Sequence, residues 1–142
     1  MQSEFKSRLP KNAGSFFSKA EIDKYRAEFK RAHQPLPYEP KDPEQNRQGE
    51  YFSREILEQL LATDCDGIRI YYGVAPETGG EIHPEGKTMM RRLFLVPVKI
   101  DEKGDGKDFQ FKPIKKASGE KDGDGGKGGA GGGLPCPGFC NP

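Results

Sequence analysis

Residues 52–74, FSREILEQLLATDCDGIRIYYGV, decide the fold. Ser53 carries a capping hydroxyl, Phe52 and Leu57 occupy the two positions of a hydrophobic staple, and Glu55 sits in the first turn, so a helix starts here. It is predicted to run to about Thr63, with Ile56, Leu57, Leu60 and Leu61 forming a broad apolar face that needs a flat apolar surface to cover it. That surface follows at once. After Gly67 the run IRIYY is β-branched and aromatic, with Ile68, Ile70 and Tyr72 on one face of a strand and Arg69 and Tyr71 on the other. The first face is the expected buried one.

Toward the C-terminus, residues 74–88 contain two prolines and three glycines and read as a loop. Residues 91–100, RRLFLVPVKI, are the most apolar run and predict a central strand, with Phe94, Val96, Val98 and Ile100 on one face. Pro97 removes one ladder donor and implies an edge or a bulge at that point. Residues 101–108, DEKGDGKD, form a turn, and the alternation of Phe109 and Phe111 predicts a third strand.

Toward the N-terminus, Phe17, Ser18, Glu21 and Ile22 spell a capping box and a staple, and they open another helix. Ile22, Tyr25, Phe29 and Ala32 follow as one apolar stripe, and Pro35 and Pro37 end the helix near His33. The proline-rich stretch 34–50 is a loop. The fold class that results is α+β: two helices packed on a small antiparallel sheet of about three strands. The organisation is a basic N-terminal loop at 1–17, a small domain at 18–114, and a glycine-rich tail at 115–142.

The tail has two parts. From Lys115 to Gly133 the only apolar residues are two alanines, so ordering this stretch costs entropy with nothing buried in return, and it is predicted to be a disordered tether. It ends in LPCPGFCNP, which is not tether-like.

Composition excludes several functions. The chain has 142 residues, 32% hydrophobic and 32% charged, with a mean hydropathy of -0.86, which leaves little material for a second core. Lys and Arg number 23 against 22 Asp and Glu, so no large positive field exists and nucleic acid is disfavoured as a partner. No window reaches the roughly 18 apolar residues of a membrane span. Glu4, Lys6 and Arg8 interrupt any secretory signal, and three cysteines do not form a fully paired disulfide framework. A cytoplasmic protein is the expectation. The small core makes self-association through a sheet edge, or docking on a larger partner, a further expectation.

Candidate chemistry centres on Cys136, Pro137, Phe139 and Cys140. The two cysteines are close enough for a disulfide ring, for two thiolate ligands to a zinc ion, or for a thiol-bearing epitope read by a partner. A zinc site needs further ligands, and Cys65, His33 and His83 form no second close pair. Cys65, flanked by Asp64 and Asp66, reads as a packing residue. Arg69, Tyr71, Arg91 and Arg92 form a candidate surface patch of the kind that stacks single-stranded bases, weighed against a plain solvent face with cross-strand contacts. The turn at Asp101 and Asp105 lacks the ligand pattern of a calcium loop, and GGAGGG lacks that of a phosphate loop. With two histidines and no nucleophile context, no catalytic residue can be named.

The GIRIYYG segment, the hydrophobic strand near residue 95 and the terminal Cys-Pro-x-x-Cys together resemble an uncharacterised family of small proteins in Bacteroidota. The resemblance implies a bacterial protein and carries over no catalytic residue. The reading that results is a non-enzymatic interaction module whose tail presents the cysteine motif to a protein partner. The alternative is a thiol-disulfide or metal-handling protein using Cys136 and Cys140.

Overall fold

The computed structural model describes residues 9–10, 12–37, 39, 41, 47–111 and 127–136. The chain is α+β, with helices α1 (Lys19–Ala32) and α2 (Arg54–Leu61) and strands β1 (Gly49–Tyr51), β2 (Gly67–Thr78), β3 (Glu81–Ile82), β4 (Thr88–Ile100), β5 (Gly106–Asp108) and β6 (Leu134–Cys136). Two sheets form: a four-stranded one in the order β3-β2-β4-β5 and a two-stranded β1-β6 pair. No described helix is long and apolar enough to cross a membrane.

Contacts divide the chain into two compact units, and the division falls inside the long strands β2 and β4. The first unit holds residues 1–13, 53–71 and 94–130. Here α2 starts as the sequence predicts, with the Ser53 side chain accepting from the Ile56 N–H at 3.3 Å. Its apolar face is narrower than expected: Leu60 is 1% exposed, while Ile56 and Leu61 are exposed. Thr63 Oγ1 and Cys65 Sγ both donate to the Leu60 carbonyl, which closes the end of the helix. Cys65 is a half-buried free thiol, consistent with a packing role.

Among the described residues of this unit the buried apolar ones are Leu60, Leu95, Pro97 and Val98. Pro97 sits inside β4 without breaking it, and the ladder explains why. The Leu95 N–H and carbonyl pair with Ala130, the Pro97 carbonyl accepts from the Phe109 N–H, and Lys99 pairs with Lys107 of β5. Pro97 therefore lies where the partner on that side of β4 changes from residue 130 to β5, a point where a missing N–H interrupts no continuous ladder. β5 ends before the expected Phe109–Phe111 strand, although Phe111 bridges to Lys127. Leu9 is tied to this unit by its N–H, which donates to the Gly104 carbonyl at 2.9 Å.

The second unit holds residues 14–52, 72–93 and 131–142. Its helix α1 has the full predicted capping box: the Ser18 side chain accepts from the Glu21 N–H, and the Glu21 carboxylate accepts from the Ser18 N–H. It ends at His33, as Pro35 requires. No residue of α1 is buried. β2 extends through much of the stretch read as a loop, then turns back at Gly79 and Gly80 into β3. Both glycines have positive φ, 60° and 88°, the conformation that a two-residue hairpin needs at both central positions.

The expected burial of β2 is not found over residues 68–72: Ile68 is half-buried, Ile70 is 58% and Tyr72 89% exposed, and Tyr71 on the other face is exposed too. Burial comes further along, at Ala75 and Glu77, on the face of Arg69 and Tyr71. The alternation argument looks for apolar side chains inward, whereas this face buries an ion-paired glutamate. The tether reading needs a second correction. Residues 115–126 lie outside the described residues, but Lys127 and Ala130 are bridged to Phe111 and Leu95, and Gly133 is buried.

Candidate functional site

The most constrained side chain is one the sequence places on a solvent face. Arg92, in β4, is 1% exposed, which removes it from the candidate surface patch. Its five N–H donors make five hydrogen bonds. Nε and Nη2 donate to Glu50 Oε1 at 3.2 and 3.1 Å. Nη1 donates to Glu77 Oε2 at 2.9 Å and to the Gly80 carbonyl at 3.0 Å. The second Nη2 proton goes to the Gly133 carbonyl at 2.6 Å. The other oxygens of the two glutamates are also used, Glu50 Oε2 by the Leu93 N–H and Glu77 Oε1 by Arg47. Two arginines face two glutamates, so the buried charge sums to zero and every carboxylate oxygen has a donor.

One guanidinium thus ties together β1 through Glu50, β2 through Glu77, the hairpin through Gly80, and the chain entering β6 through Gly133. Gly133 has to be glycine because a Cβ there would lie 2.8 Å from the Phe52 ring and 2.9 Å from the Tyr51 carbonyl oxygen. Directly after it, β6 pairs antiparallel with β1 in the register Gly49↔Cys136, Glu50↔Pro135, Tyr51↔Leu134. Pro135 is buried. Tyr51 and Leu134, opposite each other on one face, are 57% and 44% exposed.

The backbone of Cys136 is therefore part of a sheet, while Pro137, Phe139 and Cys140 lie outside the described residues. No group of three or more metal-ligating side chains occurs among the described residues. His83 Nδ1 accepts from the Glu85 N–H at 3.1 Å, so this ring nitrogen is already occupied.

The basic patch is neutralised residue by residue. Arg69 Nη1 donates to Asp108 Oδ1 at 2.8 Å and to the Tyr71 hydroxyl, which itself bonds Asp108. These contacts hold the Arg69 guanidinium above its ordinary range, Tyr71 contributing most and Asp108 next. Arg91 Nε lies 3.0 Å from Glu39 Oε1, whose carboxylate also accepts from the Leu36 N–H. Arg69 and Tyr71 belong to the first unit, Arg91 and Arg92 to the second.

In the first unit a cleft of about 300 Å³ is lined by Leu9, Pro10, Asp66, Ile68, Val98 and Ile100, among others. Asp66 Oδ2 in this cleft already accepts from the Ile100 N–H at 2.8 Å.

No family model matches the chain, and neither the curated proteins nor the solved structures searched give a match. The functional reading rests on the chain's own geometry. The sequence singled out the cysteine segment, but it missed the network that anchors it. Glu50 lies at the end of a proline-rich stretch and Glu77 in a presumed loop, so only their distance from the apolar runs was visible. Arg92 itself, an arginine within the most apolar run of the chain, was the one available signal.

Proposed function

We propose that the chain is a non-enzymatic interaction module that displays its C-terminal cysteine segment, Cys136, Pro137, Phe139 and Cys140, to a protein partner from a fixed platform. The observation that carries this reading is the anchoring of β6: its pairing with β1 and the Arg92 bond to the Gly133 carbonyl set where the segment begins. Beside that point the exposed pair Tyr51 and Leu134 offers an apolar surface on which a partner's side chains can rest. A displayed epitope needs a defined exit point, because ordering a free tether on binding costs affinity. A cytoplasmic setting and membership of the Bacteroidota family belong to the same reading.

The pairing of the patch arginines with carboxylates supports a protein partner over nucleic acid, since the three cations of that patch are already engaged by acids. The alternative, thiol-disulfide or metal handling by Cys136 and Cys140, keeps its place because both use the same two sulfur atoms.

Intact mass, thiol counting and metal analysis on the full chain purified without reductant separate the two. Reduced, metal-free cysteines, together with a partner lost when the chain is ended after Cys136, support the module. One bound zinc or a quantitative Cys136–Cys140 disulfide that exchanges with added thiol supports the alternative. A partner retained after that truncation overturns the display reading.

A further inference from the structure

α1 is a 14-residue helix that buries none of its residues. Helices of about 12–15 residues are marginal in water unless an amphipathic face is covered. That face is present and open: Ile22 is 46%, Tyr25 56% and Phe29 46% exposed, on one stripe at spacings of three and four.

The charges beside the stripe identify its cover. In a seven-residue frame with Ile22 and Phe29 at a and Tyr25 at d, the g positions are Glu21 and Glu28, and Lys19 and Arg26 stand at e. One flank of the stripe is acidic and the other basic. Two copies of α1 side by side in the same direction place Glu21 of each against Arg26 of the other. Run in opposite directions, they place acid against acid and base against base.

We infer that α1 is a self-association surface, on which a second copy of this chain packs as a parallel two-helix pair along Ile22, Tyr25 and Phe29. Glu21 spends Oε1 on Ser18 and Glu28 spends Oε2 on Arg31, which leaves each carboxylate with a further oxygen to accept a bond from the second copy. A lipid surface fits less well. Helices that lie on anionic membranes carry a basic polar face, whereas here Glu21, Asp23 and Glu28 are mixed with the cations. The pair is short, about 21 Å at 1.5 Å per residue, so the association is weak and concentration-dependent.

Sedimentation equilibrium of the full chain over a concentration series tests the inference. The expected result is a monomer–dimer equilibrium that Phe29→Glu abolishes at every concentration. Arg26→Glu should weaken it by about threefold to tenfold, because each of two attractive pairs becomes a repulsive one, and Arg26→Lys should leave it unchanged. Arg26 is 5 or more residues from any capping group of α1 and is exposed, so its variants test the idea even if Phe29→Glu disturbs the fold. A chain that is monomeric throughout overturns the inference, as does a dimer insensitive to Phe29→Glu. An Arg26→Glu dimer as tight as the parent, or tighter, overturns the parallel arrangement. Co-flotation of a monomeric chain with phosphatidylserine vesicles, lost in Phe29→Glu, would assign the stripe to lipid and overturn it too.

Discussion

The two units of this chain are held together by different physics. The first is built around Leu60, Leu95, Pro97 and Val98, with a capped helix and a ladder that follow from apolar patterning. Among its described residues the second buries three apolar ones, Ala75, Met90 and Pro135, which lie apart in sequence, and it is organised around Arg92, Glu77, Glu50 and Arg47. Apolar burial is nondirectional and tolerates approximate fit, whereas a buried ion network depends on each member having its partner. The second unit should therefore be the more brittle to single substitutions and the first the more forgiving.

Arg92→Ala is the sharpest way to break that comparison. It strands Glu50 and leaves the Gly133 carbonyl without its donor, and loss of one partner of a buried pair costs about 3 to 5 kcal/mol. Urea melts give the value. An effect near zero, as expected of a solvent-facing arginine, would mean that the network contributes nothing to the second unit.

Leu60→Ala addresses the other side. Truncating a leucine that is 1% exposed should cost about 2 to 4 kcal/mol, less than the loss of Arg92 because neighbouring apolar groups close part of the gap. If Leu60→Ala is the more damaging of the two, the contrast between the units is reversed.

Gly133→Ala comes next. The added methyl meets the Phe52 ring and the Tyr51 carbonyl, so β6 has to shift, at about 1 to 3 kcal/mol. Amide hydrogen exchange should show faster exchange in β1 and β6, with Leu95 and Val98 in the first unit unchanged.

What could be read in the sequence follows the same division. Both helix starts are visible at Ser18 and Ser53 because capping is local chemistry written within four residues. β4 is visible because an apolar run of ten residues has few other uses. The burial of β2 is misread at Ile70 and Tyr72 because the pattern rule assigns glutamate to solvent, and Glu77 is inside only through Arg92 and Arg47, distant in sequence. The glycine tail is misread in part for a related reason: five of residues 127–133 are glycines with no side chain to bury, yet backbone groups of this stretch pair with Leu95 and Phe111 and accept from Arg92. Such pairing leaves no trace in composition. Of the buried network, the one legible sign was Arg92, an arginine inside an apolar run; the distance in sequence of Glu50, Glu77 and Gly133 hid the rest.

The smallest expected effect concerns a turn in the first unit that depends on neither apolar burial nor a buried ion pair. Asp101 Oδ1 accepts from the backbone N–H groups of Asp105 and Lys103, each at 2.9 Å, and Lys107 approaches its other oxygen at 3.5 Å. These bonds, that from Asp105 foremost, hold the carboxyl below the ordinary aspartate value. A group whose pKa is depressed on folding adds stability that is present above its unfolded value and disappears as the pH falls through its folded value. The stability difference between the parent chain and Asp101→Ala should be constant near neutrality and shrink toward acid. Side-chain carbon NMR should place the Asp101 midpoint below that of the same aspartate in a peptide of residues 99–107. A midpoint equal to the peptide's would mean that the turn forms without help from the carboxylate, and the two stability curves would then stay parallel through the acid range.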